Sequence, residues 1–467
     1  MLIILEEDCM KPLERRLLVF TILLGGFLST LTETILNNAL PTIMQAFNIS
    51  QSVSQWLSTG YILVVGIMMP TAAYFFNRVP LRTLFITTLF IFLMGTIIAS
   101  TAQTFEWLLA GRIIQAISVG ISMPLTQNVL TLVYPPSQRG AALGLAAIVI
   151  ILGPAIGPTL SGWIVNHYPW EWIFIILLPL TVLAIILSFF TVKNINQPKP
   201  TKLSWSSLLL STVGFGLLLY GFSNIGVIAG INTFTLIILI IGLIVTAAFI
   251  ILQLKLKKPL LQMRVFKSPS FTKTTILASL INVAMLGTEL IVPLYLQDVR
   301  GVSAFISGLL LLPGAILMAI VAPIAGRLLD LHGIKGLSFI GFGILTLATI
   351  PMIWFNDRTS LPWIVFLYAI RMGAISLVMM PVTTSGINAL PERLIVHGNS
   401  VVATFRQIAS SLGTAGLVTV AAVISNGHTH GVQLMHGYQG AFAVAALVSL
   451  ICLIISFTLR NRTKPEL

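Results

Sequence analysis

The chain has 467 residues, of which 57% are hydrophobic and only 8% charged, with a mean hydropathy of +1.00. A soluble domain carries roughly a quarter of its residues as charges, so lipid rather than water must solvate most of this surface. The net charge of +13 would suit a nucleic-acid partner, but its distribution along the chain assigns it to membrane topology instead.

Apolar runs of roughly 20 residues recur along the whole length, as spanning helices require. The shorter alternating segments of a membrane barrel do not appear. The N-terminus is expected not to be a cleavable signal: Glu6, Glu7 and Asp8 stand where a basic region belongs, and the next apolar run is too long. About fourteen helices are predicted, beginning near Leu17, Ser52, Thr83, Phe105, Arg139, Trp172, Ser206, Asn232, Ser270, Ser303, Gly336, Leu361, Asn399 and Tyr438. Short connections make neighbours antiparallel. The first helix carries Glu33 and Asn37, and the second carries Trp56 and Tyr61. These two aromatic residues are candidates for stacking on a substrate, although such residues in membrane helices usually face lipid or core. The turn that follows holds Asn77, Arg78 and Arg82, the fourth helix Arg112 and Gln115, and the fifth Gly153, Pro154, Gly157, Pro158 and Gly162. In the later helices stand Glu289, Arg371 and Arg406, with Gly326, Asp330, Gly333 and Lys335 around one turn. His428, His430 and His436 lack metal-ligand spacing, and Cys9 and Cys452 lie at opposite ends of the chain, so neither a metal site nor a disulfide framework is expected. No phosphate-cradling loop or nucleophile elbow occurs, which argues against ATP-driven pumping, hydrolase chemistry and any cofactor.

Twenty-one of the 26 Lys and Arg fall in segments on the side of the N-terminus; Arg300 and Arg358 fall on the other side, and Arg112, Arg371 and Arg406 lie inside helices. Cytoplasmic loops carry the positive excess. Both termini are therefore expected in the cytoplasm and the helix count is expected to be even. A nucleic-acid role is not expected.

Three short matches recur in the same order at nearly one offset. Pro70, Ala73, Asn77, Pro80 and Arg82 correspond to Pro323, Gly326, Asp330, Gly333 and Lys335. Thr32-Glu33-Thr34-Ile35 corresponds to Thr288-Glu289-Leu290-Ile291, and Ala116-Ile117-Ser118, after Arg112, to Ala374-Ile375-Ser376, after Arg371. Two homologous halves follow, related about the membrane normal. The expected division is a six-helix bundle over 1–197, two inserted helices over 198–262, and a second six-helix bundle over 263–467.

These motifs resemble the major facilitator superfamily, in particular its fourteen-helix drug:proton antiporter branch, over nearly the whole chain. The superfamily's loop pattern G-x-L-x-D-x-x-G-x-[RK] is complete from Gly326 to Lys335 and degraded in the first half, where Ala73, Asn77 and Pro80 replace Gly, Asp and Gly. In the family that first Asp helps latch the bundles by charge, so Asn77 puts the latch in question. Arg112-Ile113-Ile114-Gln115 is similar to R-x-x-Q, and Gly153-Pro154-Ala155-Ile156-Gly157-Pro158 followed by Gly162 is similar to the antiporter signature, with Ser161 in place of one Gly. Trp170-Glu171-Trp172 resembles a W-R-W element with Glu171 in place of Arg. The resemblance implies an all-α major facilitator fold in a bacterial plasma membrane. It also implies a central cavity faced by the helices of Glu33, Arg112, Glu289 and Arg371.

Glu33 and Glu289 are the acidic residues well inside helices. A charge in hydrocarbon costs several kcal/mol, so such residues face a cavity or a partner. Burial opposes ionisation of a carboxyl and a nearby cation favours it, which lets such a group exchange protons. Arg effectively never deprotonates, so Arg112 and Arg371 serve better as fixed counter-charges. Proton coupling is thus assigned to Glu33, Arg112 and Glu289, and the substrate cavity to Glu33, Asn37, Trp56, Tyr61, Gln115, Glu289 and Arg371. The plain alternative for either Glu is a static helix contact. Arg406 is expected to settle by packing or on a backbone carbonyl. The expected function is proton-driven export of amphipathic, often cationic, small molecules by a monomer. The alternatives are export of one metabolite, whose anion Arg112 and Arg371 would hold, or a sensor without flux.

Overall fold

The computed structural model describes residues 11–36, 39–49, 51–54, 56–196, 198, 204–228, 232–256, 259–425 and 432–461. Asn37, His428 and His430 lie outside the described residues, as do the side chains of Pro154 and Pro158. The described residues are mostly helical and contain no strand. Its long helices are α1 (Pro12–Thr34), α2 (Trp56–Arg78, with a 3-10 turn at Met69–Thr71), α3 (Leu81–Ser100), α4 (Phe105–Val133), α5 (Arg139–His167), α6 (Trp172–Thr191), α7 (Trp205–Ile228), α8 (Thr233–Lys255), α9 (Pro269–Asp298), α10 (Ala304–His332), α11 (Ile334–Trp354), α12 (Leu361–Asn388), α13 (Glu392–Ile424) and α14 (Val432–Ser456). Thirteen helices among the described residues are long and apolar enough to cross a membrane, and α5 adds a further helix of 29 residues. The chain is a multi-pass α-helical membrane protein.

Local chemistry sets the helix ends. Asn232 accepts from Thr235 N at 2.7 Å and Ser268 from Phe271 N at 3.2 Å, each satisfying an orphan donor of the first turn. Pro12 and Pro269 open α1 and α9, where a missing N–H costs nothing. Gly333 joins α10 to α11 at φ +76, a left-handed conformation that favours glycine. Helix α13 begins well before the predicted Asn399, because Glu392, Arg393 and His397 interrupt the apolar pattern while Pro391 still starts a helix.

Contacts gather the chain ends on one side, here called the terminal side. Lys193 Nζ donates to Glu14 Oε2 at 2.8 Å, Leu81 N to Asn196 Oδ1 at 2.8 Å and Lys335 N to Asn461 Oδ1 at 2.8 Å. On the opposite side Tyr295 Oη donates to the Asn356 carbonyl at 2.7 Å and Gln439 Nε2 to the Phe355 carbonyl at 2.8 Å.

Two hydrophobic cores form. One is built almost wholly from residues between Leu18 and Val192, the other mainly from residues after Leu260. Between them α7 packs on α8, where Gln253 Nε2 donates to Ser207 Oγ at 2.8 Å and Asn224 Nδ2 to Thr235 Oγ1 at 2.7 Å. The same α7 lies against both α2 and α13, with Leu219 pressed onto Gly66 beside Gln407.

The terminal side is closed across the two cores. Asp330 at the end of α10 accepts from Gly140 N at 3.1 Å and Ala141 N at 2.9 Å, so its carboxylate caps the start of α5. There it meets unsatisfied donors and the positive end of the helix dipole. A Cβ on Gly144 would lie 2.8 Å from the Ala322 carbonyl oxygen. Arg139 Nη1 donates to Asn388 Oδ1 at 3.0 Å, and Asn399 Nδ2 donates to Asn128 Oδ1 at 2.8 Å. The side chain of Asn77, in the position corresponding to Asp330, makes no hydrogen bond with a described residue. Its turn is held inside the first core, where Asn196 Nδ2 donates to the Val79 carbonyl at 2.8 Å and Arg82 Nη2 to the Phe189 carbonyl at 2.6 Å.

Candidate functional site

Helix α4 places Arg112 wholly inside the first bundle, at 0% exposure. Its Nη1 donates to the Thr32 carbonyl of α1 at 3.0 Å and to Gln115 Oε1 at 3.2 Å, while Nε reaches the Leu57 carbonyl of α2 at 3.4 Å. The guanidinium lies 3.9 Å from the centre of the Tyr61 ring, a cation–π contact in a dry setting. One charged group thus ties three helices at one depth. Buried carbonyl oxygens and a ring disperse the charge, and among the described residues no carboxylate touches it. Nη2 is buried without a partner.

Glu33 follows Thr32 and is half-buried. It makes no hydrogen bond or ion pair with a described residue, yet it lies within electrostatic reach of Arg112. The predicted counter-charge is therefore present but not paired. Around Glu33, α5 approaches α1 closely: a Cβ on Gly153 would fall 2.7 Å from the Thr30 carbonyl carbon, and one on Gly157 2.5 Å from Thr34 Oγ1. Thr34 Oγ1 donates to the Gly153 carbonyl at 3.4 Å. Ser161, in the position of an expected glycine, is buried with its hydroxyl unpartnered, and Gly162 is half-buried.

The second half repeats this plan with one change. Arg371 of α12 has 0% exposure, donating from Nη2 to the Ala284 carbonyl of α9 at 2.6 Å and from Nε to Thr349 Oγ1 of α11 at 3.2 Å. Glu289 is half-buried, free of hydrogen bonds with described residues, and within electrostatic reach of both Arg371 and Glu33. The two acids therefore share one region of the protein.

The other expected cavity residues divide. Tyr61 and Gln115 are both fully buried and committed to the Arg112 cluster, with Gln115 Nε2 donating to Thr96 Oγ1 at 2.8 Å. Trp56 is 40% exposed and stacks on Tyr220 of α7, with ring centres 5.9 Å apart. Of the two expectations for Arg406 of α13, packing or a backbone carbonyl, the second finds no bond: its side chain has no hydrogen bond with a described residue. A separate cavity of about 100 Å³ lies between α2, α7 and α13, lined by Ser58, Thr59, Ile62, Leu219, Ser411 and Thr414. Sequence reasoning missed Thr96 and Thr349, although both occupy one position of the repeat.

A family profile described as Major Facilitator Superfamily matches residues 22–414. The chain is 44% identical over 461 residues to the uncharacterized MFS-type transporter YcnB of Bacillus subtilis (strain 168), covering 97% of each chain. It is 36% identical over 461 residues to the lincomycin resistance protein LmrB of the same organism, covering 95% of each. Its fold is similar to that of the human organic anion transporter MFSD10 (TETRAN), with a TM-score of 0.70 at 15% identity, covering 96% of this chain and 100% of that one.

Proposed function

Because the chain belongs to the Major Facilitator Superfamily, we propose that it is a proton-driven antiporter exporting amphipathic, often cationic, small molecules by alternating access. It is a membrane transporter and not an enzyme, as the family and its relatives establish. The finer reading is carried by one observation: Glu33 sits unpaired beside a guanidinium that spends its donors on carbonyls and Gln115. A carboxyl held this way can take a proton or a cationic substrate in turn, and occupation by one excludes the other. The likeness to a lincomycin resistance protein supports export of drug-like compounds.

In this reading the chain spans a bacterial plasma membrane fourteen times with both termini in the cytoplasm, as its basic terminal side suggests. Residues 1–197 and 263–467 form the two moving bundles and 198–262 an added hairpin. No nucleic acid or cofactor takes part, and the monomer is the working unit. The Asp330 cap on α5 supports a state closed toward the cytoplasm.

The test uses purified protein in liposomes with a pH-sensitive dye inside. Addition of lincomycin or a monovalent amphipathic dye is expected to move protons in exchange for substrate. Substrate flux without proton movement would reject the coupling. Absence of flux for both compounds would favour the alternative of a dedicated metabolite exporter.

A further inference from the structure

We propose that Arg406 is an anion subsite at the inner end of the transport pathway, so that a carboxylate or similar acidic group carried beside the cationic one strengthens substrate binding. This rests on the export reading and narrows its substrate class. Arg112 and Arg371 cannot hold such a group in this state, because both are fully buried and donate to protein oxygens. Arg406 differs from both. It is half-buried and has no hydrogen bond or ion pair with a described residue. Among the described residues no acidic side chain acts on it electrostatically.

Its direction follows from helix geometry. Positions seven apart lie on nearly one face of an α-helix, about 10 Å apart. Asn399, one such step toward the terminal side, bonds Asn128 of α4. Gly413, one step the other way, presses on Val283 of α9. Arg406 therefore points into the gap between α4 of the first core and α9 of the second. The floor below it is polar, with Asn128 Nδ2 buried and unpartnered. An unpaired cation at membrane depth is costly and calls for a partner or water. A substrate acid entering between the bundles would supply one.

The experiment measures binding of rhodamine B, which bears a carboxylate, and of its methyl ester to the full chain in phosphatidylcholine nanodiscs. The wild type is expected to prefer the acid, R406Q to lose that preference by about tenfold or more, and R406K to retain part of it, as expected for a hydrogen bond to a charged group. Equal wild-type affinity for the two dyes, no binding of the acid, or equal loss of both in R406Q would overturn the proposal. Loss of the acid preference when phosphatidylglycerol is added would overturn the substrate assignment in favour of a lipid headgroup. Binding needs no proton gradient, so failure here is distinct from failure of the antiport reading.

Discussion

Arg371 donates directly to Thr349 Oγ1 at 3.2 Å. Thr349 stands in the repeat where Thr96 stands in the first half, and Arg112 reaches Thr96 only through Gln115. Three residues after Arg112 stands Gln115, but three residues after Arg371 stands Ala374, so the second arginine spans the distance alone. The first half spends an extra polar side chain to hold its arginine against α1. That extra link holds Arg112 next to the Glu33 segment, as the proposed role of Glu33 in proton exchange requires.

Arg112→Lys is accordingly expected to destabilise the protein by about 3 kcal/mol, the scale of breaking a buried charged cluster. Lysine is a point charge and cannot bridge Thr32, Leu57 and Gln115 together. Gln115→Ala is expected to be milder, about 1 kcal/mol, because the second half shows a direct Arg–Thr contact to be feasible. Thermal unfolding of both variants in one detergent checks the order; a larger loss for Gln115→Ala would contradict it.

Glu33→Gln is expected to abolish substrate-driven proton movement while leaving the protein folded. The amide copies the protonated acid and cannot cycle. No bond to a described residue depends on the carboxylate, so the thermal midpoint is expected to stay near that of the wild type. Undiminished proton exchange in liposomes would remove Glu33 from the coupling.

Gly153→Ala is expected to impair both packing and transport. The added methyl would meet the Thr30 backbone at 2.7 Å, and overpacking of this kind costs about 1–3 kcal/mol. Gly416→Ala is the control, since open space surrounds that position. Equal behaviour of the two variants in thermal unfolding and flux would refute a packing role for the α1–α5 approach.

Much of this was legible in the sequence. The apolar runs follow from a pattern that lipid solvation enforces, and Glu33, Arg112, Glu289 and Arg371 stand out because charges are costly there. The pairing was not legible. Sequence gives side-chain depth but not rotamer: it offers Arg112 as a counter-charge for Glu33, and only the fold shows its Nη1 on the neighbouring carbonyl of Thr32. The complete loop motif pointed to Asp330, but only the fold shows its carboxylate on the Gly140 and Ala141 amides. Asp330→Asn is expected to loosen this closure by about 1 kcal/mol. Asn77→Ala is expected to change it little. Thiol labelling of a cysteine placed at Ala403, an α13 residue packed in the first core, from the terminal side, reads the difference.

The last expectation concerns Glu289. It lies within electrostatic reach of Glu33 and of Arg371, so the region holds two carboxyl groups but no hydrogen-bonded ion pair for either. Two carboxylates in one region repel, and a dication relieves that repulsion better than a monocation does. If Glu33 carries the exchanged proton, Glu289 is left to count substrate charge. Glu289→Gln is then expected to weaken binding of a divalent amphipathic cation by about 1–2 kcal/mol more than that of a matched monovalent one, the scale of one partly screened ion pair. Competitive binding of the two ligands to wild type and variant at fixed pH gives the difference directly. Equal loss for both would reject charge counting and leave Glu289 as a second proton carrier or a structural partner of Arg371.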